Sequence, residues 1–442
     1  MKRTTILIII LVILYISLLE AGTTGKIKGR VTDKISGEPL VGVNIVLEGT
    51  SQGAATDIEG NYVILNVLPG NYSVKASMIG YQTVIQKNVQ VSVDLTTPLD
   101  FEMVSTILEG EEVVVIAQRP LIRKDVTSTS FRVSSEQIDQ LQVQNLSEIV
   151  ELQAGVVQGH FRGGRAGEVM YIIDGVPMND AYAGEHLFDV ESDMIQEVEV
   201  ISGTFNAEYG QAMSGIVNIV TKEGQEYYSG KITFYCGDHL SSHTHIFMNI
   251  DDINPLDNTN YQFNLSGPIP LLGKNLSFSL LGRTNTDDGW LYGQRIFRPS
   301  DFCYFSDDPN KQIIQSTGDS SFVSMNSSNM QTLQGKLSFK LSRMDKINYT
   351  GFYEKSKYRS YDRLFKYNPD GNYRHENMSY QNSLQYTHMF NPNTFLTANY
   401  SNLFTTYGQY VYKDKYDPRY VPIEYLNATN SNGFSTSGMR MW

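Results

Sequence analysis

Short amphipathic β segments fill the second half of the chain and limit the folds that it can adopt. Between residues 226 and 442, segments of roughly 10 residues alternate apolar and polar side chains, as outer-membrane strands do. Short turns such as 342–346 alternate with long polar connections at 287–330 and 357–377. A soluble sandwich would use more even loops. The pattern therefore predicts part of a transmembrane antiparallel β-barrel over residues 226–442.

Eight segments fit this pattern. They are Tyr228–Cys236, His245–Ile250, Tyr261–Leu265, Leu276–Leu280, Leu333–Leu341, Ile347–Tyr353, Leu384–Phe390 and Leu396–Tyr400.

The N-terminus predicts export. Lys2 and Arg3 precede an apolar run over Ile6–Ile16, and the small residues Ala21 and Gly22 follow. This order is typical of a signal peptide, which we place at residues 1–22 and expect to be cleaved. The alternative is a membrane anchor, but an anchor needs about 20 apolar residues and this run is shorter.

Apolar and polar side chains alternate with period two over residues 24–104, and this pattern predicts a small β-sandwich of about seven strands. Turn signals separate the strands at 36–39, 59–61 and 69–71. The runs Gly37–Asn44, Gly60–Tyr62, Gly70–Tyr72 and Ile79–Tyr81 resemble the carboxypeptidase regulatory-like domain. That resemblance implies a transthyretin-like sandwich with no catalytic role.

Residues 105–118 predict a linker that contains one unusual strand. The β-branched run follows an acidic stretch and consists of Glu112, Val113, Val114, Val115, Ile116 and Ala117. Such a segment can be captured by the sheet edge of another protein. It resembles a TonB box, the segment that the inner-membrane protein TonB grips. The alternative is an edge strand of a flanking domain.

Residues 119–224 mix helix and strand signals. Helix signals occupy Ser134–Leu141 and Asn145–Leu152, and apolar strands follow at Val169–Ile173, Ile195–Ile201 and Ile216–Val220. The segment resembles the plug domain of TonB-dependent outer-membrane receptors. The matching motif residues include Arg162, Gly163, Gly164, Asp174, Gly175, Tyr209, Gly210, Gly215 and Asn218.

The resemblance implies that the plug fills a wide barrel, forms part of the solute site and is displaced by energy from TonB. Arg162 and Asp174 are the two charges that we expect to matter most, in turns that face the barrel interior. Plugged barrels of this kind have about 22 strands, and eight strands leave no room for a plug. We therefore expect the chain to be a fragment that ends inside the barrel.

Composition and residue spacing argue against several classes of function. The net charge of −12 argues against nucleic acid as a partner. Acids and histidines in the plug have no spacing that imposes a catalytic geometry, so we expect neither an enzyme nor a cofactor. Metal capture near His243 and His245 stays an alternative to plain loop histidines, and Cys236 and Cys303 either pair or stay free.

The complete pattern is mainly β: a small sandwich, an α/β plug, then part of a barrel. The resemblance implies a TonB-dependent receptor in the outer membrane of a Gram-negative-type bacterium, of the Oar-like or SusC-like branch. Its implied partners are the TonB–ExbB–ExbD complex, outer-membrane lipid and, for some members, a surface lipoprotein. The solute would be a glycan, a peptide or a metal chelate. The alternative function is a non-transporting surface protein for adhesion or assembly.

Overall fold

The computed structural model describes residues 23–50, 52–105, 113–116, 129–180, 184, 186–203, 212–270, 275–301, 303–304, 310, 312–342, 344–391 and 394–417. The leader predicted at residues 1–22 lies outside them. Within these residues, no helix is both long enough and apolar enough to cross a membrane.

The N-terminal domain is a sandwich of two sheets. Its strands are β1 (Gly25–Asp33), β2 (Asn44–Leu47), β3 (Gly53–Ala55), β4 (Asn61–Val67), β5 (Gly70–Ser77), β6 (Val84–Val91), β7 (Thr96–Pro98), β8 (Phe101–Met103) and β9 (Val113–Ile116). One sheet has the order β4-β1-β7, with β8 also paired to β1, and the other has the order β3-β2-β5-β6-β9. Alternate side chains such as Ile27, Val31, Ile45 and Val74 are fully buried between the sheets, as period-two patterning requires.

The plug combines short helices with a five-stranded sheet. Its elements are β10 (Thr129–Ser134), α1 (Ser135–Ile138), α2 (Leu146–Glu151), β11 (Val156–Val157), β12 (His160–Phe161), β13 (Val169–Ile173), β14 (Val176–Pro177), β15 (Ile195–Ser202) and β16 (Gly215–Thr221). Short 3-10 turns cover Ala166–Glu168 and Ser192–Met194. The sheet order is β10-β15-β16-β13-β14, and β11 pairs with β12. The Asn145 side chain caps α2 by accepting a bond from the Glu148 amide.

A seven-stranded antiparallel sheet follows, and we call it the barrel wall. Its strands are β17 (Ser229–Gly237), β18 (Asn258–Pro268), β19 (Leu276–Asp287), β24 (Ser328–Lys340), β25 (Asp345–Tyr358), β26 (Arg374–Asn391) and β27 (Thr394–Tyr410). The loop between β19 and β24 holds β20 (Tyr292–Gln294), β21 (Cys303–Tyr304), β22 (Ile313–Ile314) and β23 (Phe322–Ser324), and 3-10 turns cover Arg363–Phe365 and Pro369–Gly371. Each strand of the wall pairs with the next in sequence.

One predicted strand is wrong. His245–Ile250 folds as turns in the loop between β17 and β18, so His243 and His245 do not share a strand face. The amides of Ile246 and Phe247 both bond the His243 carbonyl. These bonds close a local turn, and the segment has no neighbouring strand to pair with. The other seven predicted segments are the seven strands of the wall.

The wall places polar side chains toward the plug and apolar side chains away from it. On β24, Gln334 and Lys336 are 1% and 3% exposed, whereas Leu333 and Leu337 are 46% and 41% exposed. The inner strands β18 and β26 follow the same rule, since Phe263 and Leu384 are exposed whereas Asn260 and Gln381 are buried. The edge strands β17 and β27 are exposed along most of their length. This inversion of a soluble protein's pattern is the arrangement of an outer-membrane barrel wall. Cys236 is an exposed free thiol.

Candidate functional site

The plug packs on the polar face of the barrel wall, and this interface is the candidate site. The buried core of the plug extends into the wall, because Leu281 and Phe352 belong to the same apolar cluster as Phe188. The rings of Phe188 and Phe352 lie 5.8 Å apart. Around this apolar contact, the interface consists of charged and amide side chains.

Asp174 lies in a tight turn at the edge of the plug sheet. It joins β13 to β14 with Gly175, and both residues have positive φ, 50° and 81°. A two-residue hairpin turn of this type requires positive φ at both positions, which explains the Asp-Gly sequence. The Asp174 carboxylate accepts bonds from the amide and the hydroxyl of Thr221, at 2.9 and 2.5 Å. The turn is thereby fixed to the last residue of β16.

The same carboxylate reaches the barrel wall. Lys336 Nζ lies 3.1 Å from Asp174 Oδ2, and the Thr350 hydroxyl lies 3.3 Å from it. The side chains of Asp174 and Lys336 are 8% and 3% exposed. A buried charge needs a partner, because leaving it alone costs several kcal/mol. Asp174 is therefore both a turn residue and one half of a plug–wall ion pair.

A second plug carboxylate completes this charge network. Glu223 lies just after β16, and its carboxylate is 2.7 Å from Lys346 Nζ and 4.0 Å from Lys336 Nζ. Burial raises the pKa of Glu223, but the Lys346 and Lys336 cations outweigh it and hold that pKa below its ordinary value. Two acids of the plug thus meet two lysines of the wall, and their charges balance.

A separate network surrounds Arg283 of β19. Its Nη1 lies 2.8 Å from Glu191 Oε2 of the plug, and its Nε donates to Asn260 Oδ1 at 2.7 Å. Its Nη2 also donates to the Gln144 side chain. Burial raises the pKa of Glu191 to about 7, even though Arg283 opposes the change. At neutral pH this carboxyl is close to its titration point.

Acidic neighbours add to the second network. The Asp189 amide donates to Glu354 Oε2 on β25 at 3.4 Å, and burial raises the pKa of the Asp189 carboxyl. Asp189 and Glu191 thus act on each other electrostatically, and Glu191 alone pairs with Arg283. No sequence motif predicts this cluster, since Glu191 and Arg283 are 92 residues apart and Asp189 and Glu354 are 165 residues apart.

The Arg162 loop is closely packed at its neighbouring glycines, and the role of Arg162 stays a prediction. Gly164 and Gly215 are required by close packing: a Cβ at Gly164 would lie 2.4 Å from Ser214 Cβ, and one at Gly215 would lie 2.5 Å from Phe161. Arg162 has a φ of 48° and Gly163 a φ of 83°. The Arg162 side chain is exposed and lies beside Gly203.

The structure describes some of the remaining predicted plug residues and not others. Asn218 is fully buried in β16, between Ile172 and Glu199 in the sheet register. Tyr209 and Gly210 lie outside the described residues. Among the described residues, no three His, Cys, Asp or Glu side chains are grouped so that they could hold a metal ion.

The predicted TonB box is partly described. Val113–Ile116 forms β9, which pairs in parallel with residues 84–87 at the edge of the sandwich. Glu112 and Ala117 lie outside the described residues. The segment is an edge strand of a flanking domain in this structure, and its use as a TonB box stays a prediction.

The sandwich also contacts the plug directly. The Val93 amide donates to Glu197 Oε1 at 2.9 Å, and Gln196 Nε2 donates to the Pro69 carbonyl at 2.8 Å. Gln196 and Glu197 both lie on β15, which is the second strand of the plug sheet. The plug therefore has the sandwich on one side and the barrel wall on another.

Comparison with known proteins agrees with this architecture. A CarboxypepD_reg-like domain matches residues 27–115, and a TonB-dependent Receptor Plug Domain matches residues 123–217. The chain is 25% identical over 229 residues to the TonB-dependent transporter Oar of Myxococcus xanthus, covering 47% of this chain and 21% of Oar. It is 26% identical over 238 residues to the TonB-dependent receptor SusC of Bacteroides thetaiotaomicron, covering 47% of this chain and 22% of SusC.

The chain thus spans about a fifth of the length of these relatives. The siderophore receptor PirA from Pseudomonas aeruginosa aligns with 63% of this chain and 41% of its own, at 18% identity and a TM-score of 0.44. The two domain matches lie in the order sandwich then plug, and the relatives are receptors of one kind. The chain therefore contains a carboxypeptidase regulatory-like domain followed by a TonB-dependent receptor plug domain, and it is similar to TonB-dependent receptors.

Proposed function

We propose that the protein imports a scarce or large solute across the outer membrane, with energy delivered through TonB. The observation that carries this proposal is the pair of charge networks between plug and wall. Asp174 and Glu223 face Lys336 and Lys346, and Glu191 faces Arg283. These contacts seat the plug in the barrel through groups that water can also satisfy.

Ionic contacts suit a plug that must move. When a buried ion pair separates into water, each partner recovers its hydration, so the net cost is smaller than the gross attraction. An apolar interface of the same size gains no such hydration when it opens. A plug seated mainly by charges can therefore be remodelled by a pulling force and then return to its place.

The coupling segment in this proposal is Val113–Ile116. As β9 it is paired on one side only, at the end of its sheet. The pairing covers four residues. TonB, as part of the TonB–ExbB–ExbD complex, would take up the segment by strand addition.

The proposed class of solute rests on the relatives to which the chain is similar. Relatives include a vitamin B12 transporter of Vibrio vulnificus and SusC. A glycan, a peptide or a metal chelate fits the proposal, and a surface lipoprotein partner is part of the glycan and peptide alternatives. Export with removal of the predicted leader at residues 1–22 would deliver the protein to the outer membrane.

Depletion of growth medium tests import without a known solute. Host cells carrying the gene, cells lacking it and cells depleted of TonB are grown in the same complex medium, and the remaining solutes are measured by mass spectrometry. We expect at least one solute to stay in the medium of the cells that lack the gene and of the TonB-depleted cells, and to disappear from the medium of the cells that carry the gene.

The alternative, a surface protein for adhesion or assembly, predicts a different result. The three cultures would then leave identical solutes, while loss of the gene would change attachment or surface assembly. That outcome would contradict import.

A further inference from the structure

A basic patch lies at the loop end of the barrel wall. It consists of Lys355, Lys357, Arg359, Arg374 and Lys413. The Nζ atoms of Lys355, Lys357 and Lys413 all lie within 4.0 Å of the Glu376 carboxylate. Asp288 lies in the same cavity as Lys357, Arg359 and Arg374. Five basic side chains against these two carboxylates leave a net charge of +3.

Strand alternation places much of this patch on the outer face of the wall. Phe352 contacts the plug through Phe188, and Asp189 of the plug bonds Glu354. Lys355 and Lys357 alternate with these residues on β25, so they lie on the opposite face. Lys357 pairs with Glu376 in register, and Arg374 lies two residues from Glu376 on the same face.

An aromatic row lies directly below the patch on that face. Tyr353 pairs with Tyr380, and Tyr380 pairs with Phe404 across three strands. The rings of Tyr380 and Phe404 are stacked at 5.1 Å. Aromatic girdles mark the level at which a barrel leaves the hydrocarbon and enters the headgroup region. Lys355 and Lys357 follow Tyr353 by two and four residues, which places them at headgroup level.

The patch also offers hydrogen-bond donors beside a cavity of about 310 Å³. Among the described side chains, the ion pairs within 4.0 Å include neither Arg359 nor Arg374. Arg359 Nη1 donates to the Ser324 carbonyl at 3.2 Å. The nearby acids Asp319 and Asp370 pair with Arg295 instead. Two guanidinium groups are therefore available to an incoming anion, and their planar donors match phosphate oxygens.

We propose that this patch binds a phosphate group, supplied by a phosphorylated lipid headgroup of the surrounding outer leaflet. The position above an aromatic row favours a lipid over a soluble anion, because the outer face of the wall is reached from the membrane. Arg359 and Arg374 hold the phosphate, and Lys357 adds charge beside it. Binding would anchor the loop ends of β25 and β26 to the membrane surface. The proposal uses the outer-membrane placement of the proposed function and is independent of transport.

Native mass spectrometry of the full-length protein, purified from outer membranes in detergent, tests this site. The probes are lipid A with its phosphates, the same lipid after dephosphorylation, and sodium phosphate. The variant Arg359→Gln/Arg374→Gln removes both guanidinium groups. The control Arg363→Gln/Lys415→Gln removes two exposed charges from neighbouring loops. Migration as a folded barrel on unheated gels checks that each variant is intact.

We expect the wild type and the control to bind phosphorylated lipid A, and the site variant to bind it about thirtyfold more weakly. This follows because each basic side chain near an anionic surface contributes about fivefold in affinity. Equal binding by all three proteins, or equal binding of the dephosphorylated lipid, would overturn the proposal. Displacement of the lipid by millimolar sodium phosphate would show a site for soluble anions and would overturn the lipid assignment. None of these outcomes depends on TonB or on a transported solute.

Discussion

Asp174 has two structural roles that a single substitution can separate. Asp174→Asn keeps a side chain that tolerates positive φ, but it removes the charge that pairs with Lys336. Breaking one half of a buried ion pair costs about 3–5 kcal/mol. We expect looser plug seating and an outer membrane that leaks small antibiotics, measured as increased sensitivity of cells that express the variant.

Two further variants make this prediction specific. Asp139→Asn changes an exposed plug carboxylate and serves as the matched control. Adding Lys336→Met to Asp174→Asn removes the cation that has lost its nearer carboxylate and keeps only Glu223 at 4.0 Å, so sensitivity should return part of the way toward the wild type. If Asp174→Asn left antibiotic sensitivity unchanged, Asp174 would be a turn residue only.

Glu191 predicts a pH dependence of plug seating. Burial raises its pKa from an ordinary value of 4.5 to about 7. At a pH between these two values, the Glu191 carboxyl keeps its proton in the seated plug and loses it in an unfolded or hydrated plug. Burial of Glu191 outweighs its attraction to Arg283, so the contribution of this one group to seating is strongest at the acidic end and weakens as the pH rises through this window, by up to about 3 kcal/mol.

Thermal unfolding of the detergent-solubilised protein at pH 5.5 and pH 8 checks this sign. The wild type should have the higher Tm at pH 5.5. Glu191→Gln should reduce the difference by at least half, with the remainder due to groups such as Asp189, whose pKa burial also raises. Glu151→Gln, at an exposed plug position, should keep the full difference. A higher Tm at pH 8 in the wild type would contradict the prediction.

At the scale of elements, β9 is the strand whose exchange the proposed coupling requires. Val114→Pro removes a strand amide and should abolish co-purification with TonB as well as uptake, while solute binding persists. Ala54→Pro is the matched control, because β3 is the opposite edge of the same sheet. Ala54→Pro should keep TonB binding, and equal loss in both variants would show that the segment acts through sandwich stability alone.

The elements themselves were largely predictable from the sequence, but their partners were not. Period-two alternation predicted seven wall strands, and the Asp174-Gly175 pair predicted a turn. The same alternation over His245–Ile250 was misleading, because a short run can fold as a turn when no strand lies beside it. The pairing of Asp174 with Lys336 joins residues 162 positions apart, and only the stacking of plug on wall creates it.

The whole molecule is a series of contacts from sandwich to plug to wall. The sandwich meets β15 through Glu197, and the plug meets the wall through Lys336 and Arg283. The outer face of the wall exposes many Leu, Phe and Tyr side chains, which suits a lipid environment. We expect the full-length protein to fractionate with outer membranes, and recovery in the soluble periplasmic fraction would contradict this.

In the proposed mechanism, TonB moves a plug which ionic contacts hold against the barrel wall. Cysteine labelling in living cells tests this movement. Ile219 is fully buried on β16, between Asn218 and the wall-facing end of the strand. An Ile219→Cys variant, with Cys236 and Cys303 changed to Ser, is treated with a membrane-impermeant maleimide in energised cells and in cells depleted of TonB. We expect labelling to rise severalfold only in energised cells with TonB, and equal labelling in both kinds of cell would contradict the proposed mechanism.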